Sequence, residues 1–388
     1  MLCASSADAV RIQSSVLPRV WRSVVGITIY AAVITAADLW YGMNWKASGS
    51  IVAPLSVTVG LLIVFRNSTS YDRWYEGRKM FQSATSDVQN LARFLWINVD
   101  PESGKKYKEL VETAKGPTAT DEEKIAAAEW VGTCLGNKRR IVRLLAAYLF
   151  ATKHHLRQEY GVDWQDYDGL LPQDVKEAYY GLERKSRESF RRSLYASHER
   201  FSGASTDLTP TTAEFLRTQT VDEHTPLTSS EEHEEEEHAR QPAVPIPIFV
   251  LHHVSTYVAR ARRAGLLDDA GPAGFSLANQ LTNSLTTHFF QMQRIADTSI
   301  PVIYGIHLKQ CVLLYLLALP LTLVSELGWR VIPVVTVVAF TMIGLEGISS
   351  EVENPWGDDA SDHNLDFFAA AARHELEHMM LLQIETED

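Results

Sequence analysis

The sequence predicts an all-α, multi-pass membrane protein with four transmembrane helices and a helical cytoplasmic domain. Three observations carry that expectation. Four blocks, 23–37, 47–65, 310–325 and 331–345, contain no Asp, Glu, Lys or Arg. They fall into two pairs near opposite ends of a 388-residue chain. The stretch between the pairs is charged and polar, and it alone pulls the mean hydropathy down to -0.10.

A hydrocarbon layer ~30 Å thick needs about 20 helical residues. Each block reaches that length through tolerable flanks, which gives spans at 23–41, 47–66, 300–325 and 330–348. The first extends past Asp38 and the third accommodates His307 and Lys309. Trp40, Tyr41, Trp45 and Trp329 stand at block ends, where amphipathic rings favour the headgroup layer. The alternative, core helices of a soluble fold, would show a polar stripe that these blocks lack. Basic residues set the orientation: Arg11, Arg19 and Arg22 precede the first hairpin, and Arg66, Arg73, Arg78 and Lys79 follow it. The tail 1–22, the middle region 67–299 and the segment 349–388 are therefore all placed in the cytoplasm, and no cleavable signal is evident.

Within 67–299 the pattern is mostly helical. Apolar periodicity runs from Trp130 to His155, recurs over 283–294, and makes 88–97 amphipathic. Two inserts are expected to be disordered. The stretch 100–123 is dense in Lys, Glu, Thr and Gly, and 206–241 holds the run Glu231-Glu232-His233-Glu234-Glu235-Glu236-Glu237-His238. Those six glutamates equal half of the net charge of -12, a balance that argues against a nucleic-acid partner. Cys3, Cys134 and Cys311 are odd in number and widely separated, so no disulfide framework is expected.

Chemistry-bearing residues concentrate behind each hairpin. After the first comes Phe65-Arg66-Asn67-Ser68-Thr69-Ser70-Tyr71-Asp72-Arg73-Trp74-Tyr75-Glu76-Gly77-Arg78-Lys79. After the second comes Glu351-Val352-Glu353-Asn354-Pro355-Trp356-Gly357-Asp358-Asp359, with Asp362 following. Together with Ile300-Pro301, these runs resemble the bestrophin family of pentameric anion channels, in its fungal or bacterial branch. The resemblance covers most of the chain, from about Trp21 to Asp366. It implies a bestrophin-like homopentamer around one central pore, passing chloride or other small anions through a lipid bilayer.

Spacing and resemblance together nominate the site residues. Val57, Leu61 and Phe65 recur every four residues, so in a helix they share one face over about 12 Å of rise. Repeated around a ring, that face makes an apolar constriction that gates by dewetting; the resemblance makes it the pore neck. Arg66, Asp72, Arg73, Glu76, Arg78 and Lys79 are read as vestibule or interface charges, mainly structural and knitting subunits together. In Pro245-Ile246-Pro247-Ile248 the prolines leave Ile246 projecting from a turn, and the matching family position is the cytosolic aperture.

The segment 351–366 holds six carboxylates and no Lys or Arg. Calcium takes ~6–8 oxygen ligands. The calcium-gated animal relatives close a clasp here, with an N-terminal carbonyl that falls near Ala7. The matching positions are Glu351, Asn354, Asp359 and Asp362, so calcium is the one cofactor considered. Ala360-Ser361 interrupts the acidic run, and bacterial relatives so interrupted do not use the metal. His374-Glu375-Leu376-Glu377-His378 fits H-E-x-x-H, but zinc catalysis needs a third ligand, and Glu385 and Glu387 are the remaining candidates at a fraying end. The expectation is passive anion permeation and no enzyme activity. A cation-conducting homologue, a membrane-anchored metallohydrolase and a non-conducting scaffold stand as alternatives.

Overall fold

A computed structural model describes residues 15–42, 49–114, 121–203 and 244–382, and every regular element among them is helical. The main helices are α1 (Leu17–Tyr41), α2 (Val52–Asn98), α3 (Lys105–Ala114), α4 (Asp121–Leu156) and α5 (Gln173–Gly203). They continue with α6 (Ile246–Arg263), α7 (Gly271–Asp297), α8 (Val302–Leu327), α9 (Val331–Val352) and α10 (Leu365–Leu381). The chain divides into two units. One comprises Met1–Ser83 with Phe290–Leu365, the other Ala84–Phe289 with Asp366–Asp388.

The first unit is a bundle of α1, the N-terminal part of α2, α8 and α9. Contacts at both ends give each helix its direction. Gly347 of α9 lies where an added methyl would touch Val20, the Thr28 and Thr336 hydroxyls are 2.9 Å apart, and Trp40 meets Trp329 edge-on at 5.5 Å. So α1 and α9 run antiparallel. The Gly328–Arg330 turn reverses the chain between α8 and α9, and Lys309 pairs with Glu346 at 3.4 Å across the open end of that hairpin. Ile27, Ala31, Val59, Ile63, Leu316, Val335 and Ala339 share the core.

The outward faces of these helices are apolar as well. Trp21, Val25, Ile29 and Val33 form a stripe at i, i+4 along α1, each 45–59 % exposed. Three stretches are long and apolar enough to cross a membrane, and only 17–28 % of their residues are buried. A water-soluble bundle would bury or replace such surface. The chain is an integral membrane protein. The third of those stretches, Val302–Val352, contains both α8 and α9.

The second unit packs the C-terminal part of α2 with α4, α6, α7 and α10. Phe81 precedes it on α2; Val88, Leu91, Leu145, Tyr148, Val254, Leu285 and Phe289 are its fully buried centre. Tyr148 donates to the carbonyl of Leu285 at 2.7 Å, deep enough for burial to push its phenol well above the usual range. Lys153, almost wholly buried, pairs with Asp166 and, at 2.7 Å, with Asp366, which Arg157 also holds at 3.0 Å. A buried ammonium is tolerable only when paired in this way.

One sequence expectation changes here. The stretch 100–123 is not simply loop: α3 forms within it, while 115–120 lie outside the described residues. Asp100 caps the turn by accepting from the Glu102 and Ser103 amides, and the Lys105 amide donates to the Ala264 carbonyl at 3.0 Å. The Lys106 ammonium covers the Trp130 ring at 4.9 Å. Charge density hid a helix that is anchored by its backbone and one aromatic ring. The second insert, 206–241, lies outside the described residues.

Candidate functional site

The run behind the first hairpin lies on the continuous helix α2, with no break where the apolar block ends. Helical geometry then separates two faces. Val59, Ile63, Arg66 and Ser70 are buried. Val57, Leu61 and Phe65 lie two positions away from the first of these in register, about 200° around the helix. They are 69 %, 53 % and 57 % exposed, so this protomer leaves the whole apolar row uncovered.

Most charges of the run are spent inside the same chain. The Arg66 guanidinium pairs with Glu353 at 2.5 Å, with side chains 6 % and 18 % exposed. The other oxygen of Glu353 accepts the Ile300 amide at 2.9 Å. Arg73 donates to the carbonyls of Ile295 and Thr298, at 2.7 and 2.5 Å, satisfying groups that the end of α7 leaves open, and reaches the Glu353 carbonyl at 3.3 Å. Glu76 pairs with Arg294 at 2.8 Å, and Arg78 donates to Gln82. The expectation that these charges knit subunits is thus corrected for Arg66, Arg73 and Glu76, which join elements of one protomer. Asp72 and Lys79 stay exposed.

The Asn-Pro-Trp-Gly segment locks onto the same stretch of α2. Trp356 is fully buried, and a methyl on Gly77 would sit 3.0 Å from its ring. The Trp74 indole donates to the Ser361 carbonyl at 2.9 Å, and His363 meets the Trp74 carbonyl at 2.8 Å. Nothing in the sequence flags His363 or the Gly77–Trp356 contact, because each joins residues about 280 or more apart.

The acidic segment lines one side of an open cavity of about 710 Å³ that includes Glu351, Asn354, Asp359 and Asp362. All four candidates therefore converge. They do not fit calcium as they stand. Arg19 of α1 enters among them, pairing with Glu351 and, at 3.1 Å, with Asp359. Glu351 also accepts from Ser361, and one oxygen of Asp362 accepts the Asp359 amide at 2.8 Å. Among the described residues no three His, Cys, Asp or Glu side chains form a metal site. Partial burial and then the neighbouring Asp359, Glu351 and Asp358 charges raise the Asp362 pKa, opposed by its bond from the Asp359 amide. The position near Ala7 lies outside the described residues.

Ile246 is corrected too. It opens α6, with Pro245 as its N-cap and Pro247 in the first turn, and is 5 % exposed. Proline at a helix start has no amide to waste and a suitable φ, so the pair begins a helix and turns Ile246 inward. His374 and His378 are exposed on α10 with ring centroids 4.2 Å apart; Glu385 and Glu387 lie outside the described residues.

Comparison with known proteins agrees with this architecture. A voltage-dependent anion channel-forming protein of Synechocystis is 26 % identical over 375 residues, 96 % of this chain and 90 % of the relative. A protein of the same description from Nostoc is 25 % identical over 360 residues, covering 92 % and 86 %. The crystal structure of a bacterial bestrophin homologue from Klebsiella pneumoniae shares the fold at a TM-score of 0.62 and 17 % identity, over 93 % of this chain and 98 % of that one. The model of the bacterial/fungal bestrophin family matches residues 8–378, and the chain belongs to that family.

Proposed function

We propose that this protein is a bestrophin-like channel that conducts chloride and related anions passively through a central pore built from several copies of the chain. The observation that carries the reading is the bare row Val57, Leu61 and Phe65, set back to back with the buried face of α2. One helix cannot enclose a conduit, so a ring of copies is needed, and five is the number its family resemblance favours. In that ring the row faces the axis as a hydrophobic neck, while the stripe on α1 faces lipid. α1, α2, α8 and α9 serve as four spans, with both termini and the second unit on the cytoplasmic side.

At the neck no polar group replaces an ion's hydration shell, so the water column breaks unless the row moves apart. Arg66, which directly follows Phe65, is neutralised by Glu353 and adds little field to the pore. Anion preference rests instead on the weaker hydration cost of a large halide crossing an apolar ring. Its relatives from Synechocystis and Nostoc are described as anion channel-forming, and this chain is a channel rather than an enzyme. Calcium is not needed in this scheme, since Arg19 already supplies the cation among the acidic residues.

Planar-bilayer recording of purified protein in asymmetric sodium chloride tests the assignment. The reversal potential is expected near the chloride equilibrium, and Leu61→Ala or Phe65→Ala is expected to raise conductance or open probability. Reversal near the sodium equilibrium would overturn anion selectivity. Currents unchanged by both substitutions would remove the neck.

A further inference from the structure

The second unit contains a cavity of about 520 Å³ between α4, α6 and the start of α5 that the channel reading does not use. That volume is in the ordinary range for small-molecule sites, ~300–1,000 Å³. Its charge is opposite to that of the chain. On a protein of net charge -12, the lining carries Arg140, Arg260, His252 and His253 against a single acid, Asp174. Asp174 is already paired with Arg140.

Helical register shows that this is one surface. Thr133, Asn137 and Arg140 recur along α4 at i, i+4 and i+7, and His253, Thr256 and Arg260 recur along α6 at i, i+3 and i+7. Two polar rows thus face each other above an apolar floor that includes Leu144 and Ala261. Packed helices normally close such a seam with apolar side chains. The neighbouring arginines of α6 are engaged, Arg262 over the Phe275 ring at 4.1 Å and Arg263 on the Ala259 carbonyl at 3.2 Å. Arg260 has no ion pair or hydrogen bond from its guanidinium among the described residues, and it borders the cavity.

We infer that this cavity binds a small, multiply charged oxyanion, with Arg260 as its principal anchor and His253 and the Thr256 hydroxyl beside it. A bare halide would leave most of 520 Å³ unfilled. A guanidinium fork with hydroxyl donors matches the planar or tetrahedral oxygens of carboxylate and phosphate groups. The site is therefore distinct from the permeation path in the ion it reads. Burial, then the positive neighbours His252 and Arg140, hold the His253 pKa down, and a bound anion would reverse that bias. The charged groups facing His253 are His252 and Arg260 on α6, Arg140 on α4 and Asp174 on α5.

Isothermal titration of the full-length, detergent-purified protein with sodium pyrophosphate, and separately with sodium citrate, at constant chloride tests the inference. Saturable binding of one anion per chain is expected in at least one arm. Pyrophosphate alone would identify a phosphate ligand, citrate alone a polycarboxylate, and both a site that reads charge. Arg260→Gln, an exposed substitution compatible with folding, is expected to weaken binding about tenfold or more. Lys108→Gln, at an exposed cation on α3 outside the cavity lining, should leave it unchanged. Binding should tighten as the pH is lowered, because a bound anion favours the charged form of His253. No saturable heat with either anion, or equal affinity in the Arg260→Gln protein, would overturn the site.

Discussion

Glu353 is the residue on which the end of the second hairpin depends, and its replacement gives a graded result. One carboxylate oxygen holds the nearly buried Arg66 guanidinium at 2.5 Å, and the other holds the Ile300 amide at 2.9 Å, just before α8. Glu353→Gln keeps an acceptor for Ile300 but leaves Arg66 facing a neutral amide. The loss is that of one charge-assisted hydrogen bond, about 1.5–3 kcal/mol. Glu353→Ala removes both acceptors and strands a buried cation, for about 3–5 kcal/mol. Arg66→Met alone strands the carboxylate, which the Ile300 amide still partly satisfies. The double variant Arg66→Met/Glu353→Gln should then lose less than the sum of its singles, by about 1–3 kcal/mol, because neither charge is left unpaired. Equilibrium unfolding in mixed micelles measures all four proteins. A Glu353→Gln protein within about 0.5 kcal/mol of the parent, or strictly additive singles, would show that the pair is incidental.

Three further outcomes follow from the same unit. Gly77→Ala places a methyl 3.0 and 3.1 Å from ring carbons of the fully buried Trp356 and 3.3 Å from Pro355; overpacking of about 1–3 kcal/mol is expected in the same unfolding assay, and a neutral result would mean the ring yields freely. Asp362→Asn keeps an oxygen for the Asp359 amide while removing a carboxylate whose pKa is raised in the folded state. A raised carboxyl pKa favours folding when protonated and opposes it when charged, so the substitution should stabilise above the folded pKa, and the gain should fade as pH falls toward about 4. A gain independent of pH would refute that linkage. Arg19→Gln frees Glu351 and Asp359, and calcium should then raise the melting temperature of the variant but not of the parent; a calcium response in the parent would refute the role given to Arg19.

The hairpins were legible because a lipid-facing helix forbids charge over a full span, and that prohibition is visible residue by residue. Their ends were less so. α1 begins at Leu17 and so carries Arg19 and Arg22 as helical residues, and α2 continues to Asn98 although its composition changes at Arg66. Between Arg66 and Asn98 no proline interrupts, and Gly77 is the lone glycine; continuity was the quieter signal. Ile246 shows the opposite failure. Two prolines read as a turn, but a helix start accepts proline in its first turn as readily as a turn does, and only the packed structure chooses.

The charges teach most about what pattern cannot carry. Local spacing suggests that Arg66, Arg73 and Glu76 serve each other or a neighbouring subunit, because i, i+4 partners are the ones a sequence displays. Their actual partners lie as far as 287 residues away, at Glu353, and at the end of α7. Once those pairs are made, Glu353 cancels the charge of Arg66, and Arg19 stands in the acidic run where a free calcium cage was expected. Both segments look functional because they are dense in charge, yet much of that charge is held within the chain: Arg66 on Glu353, Glu76 on Arg294, Arg73 on the carbonyls at the end of α7, and Glu351 and Asp359 on Arg19. The uncharged row Val57, Leu61 and Phe65 takes no part in that pairing, and it remains an exposed apolar face of this protomer, the one that the proposed ring of copies would enclose.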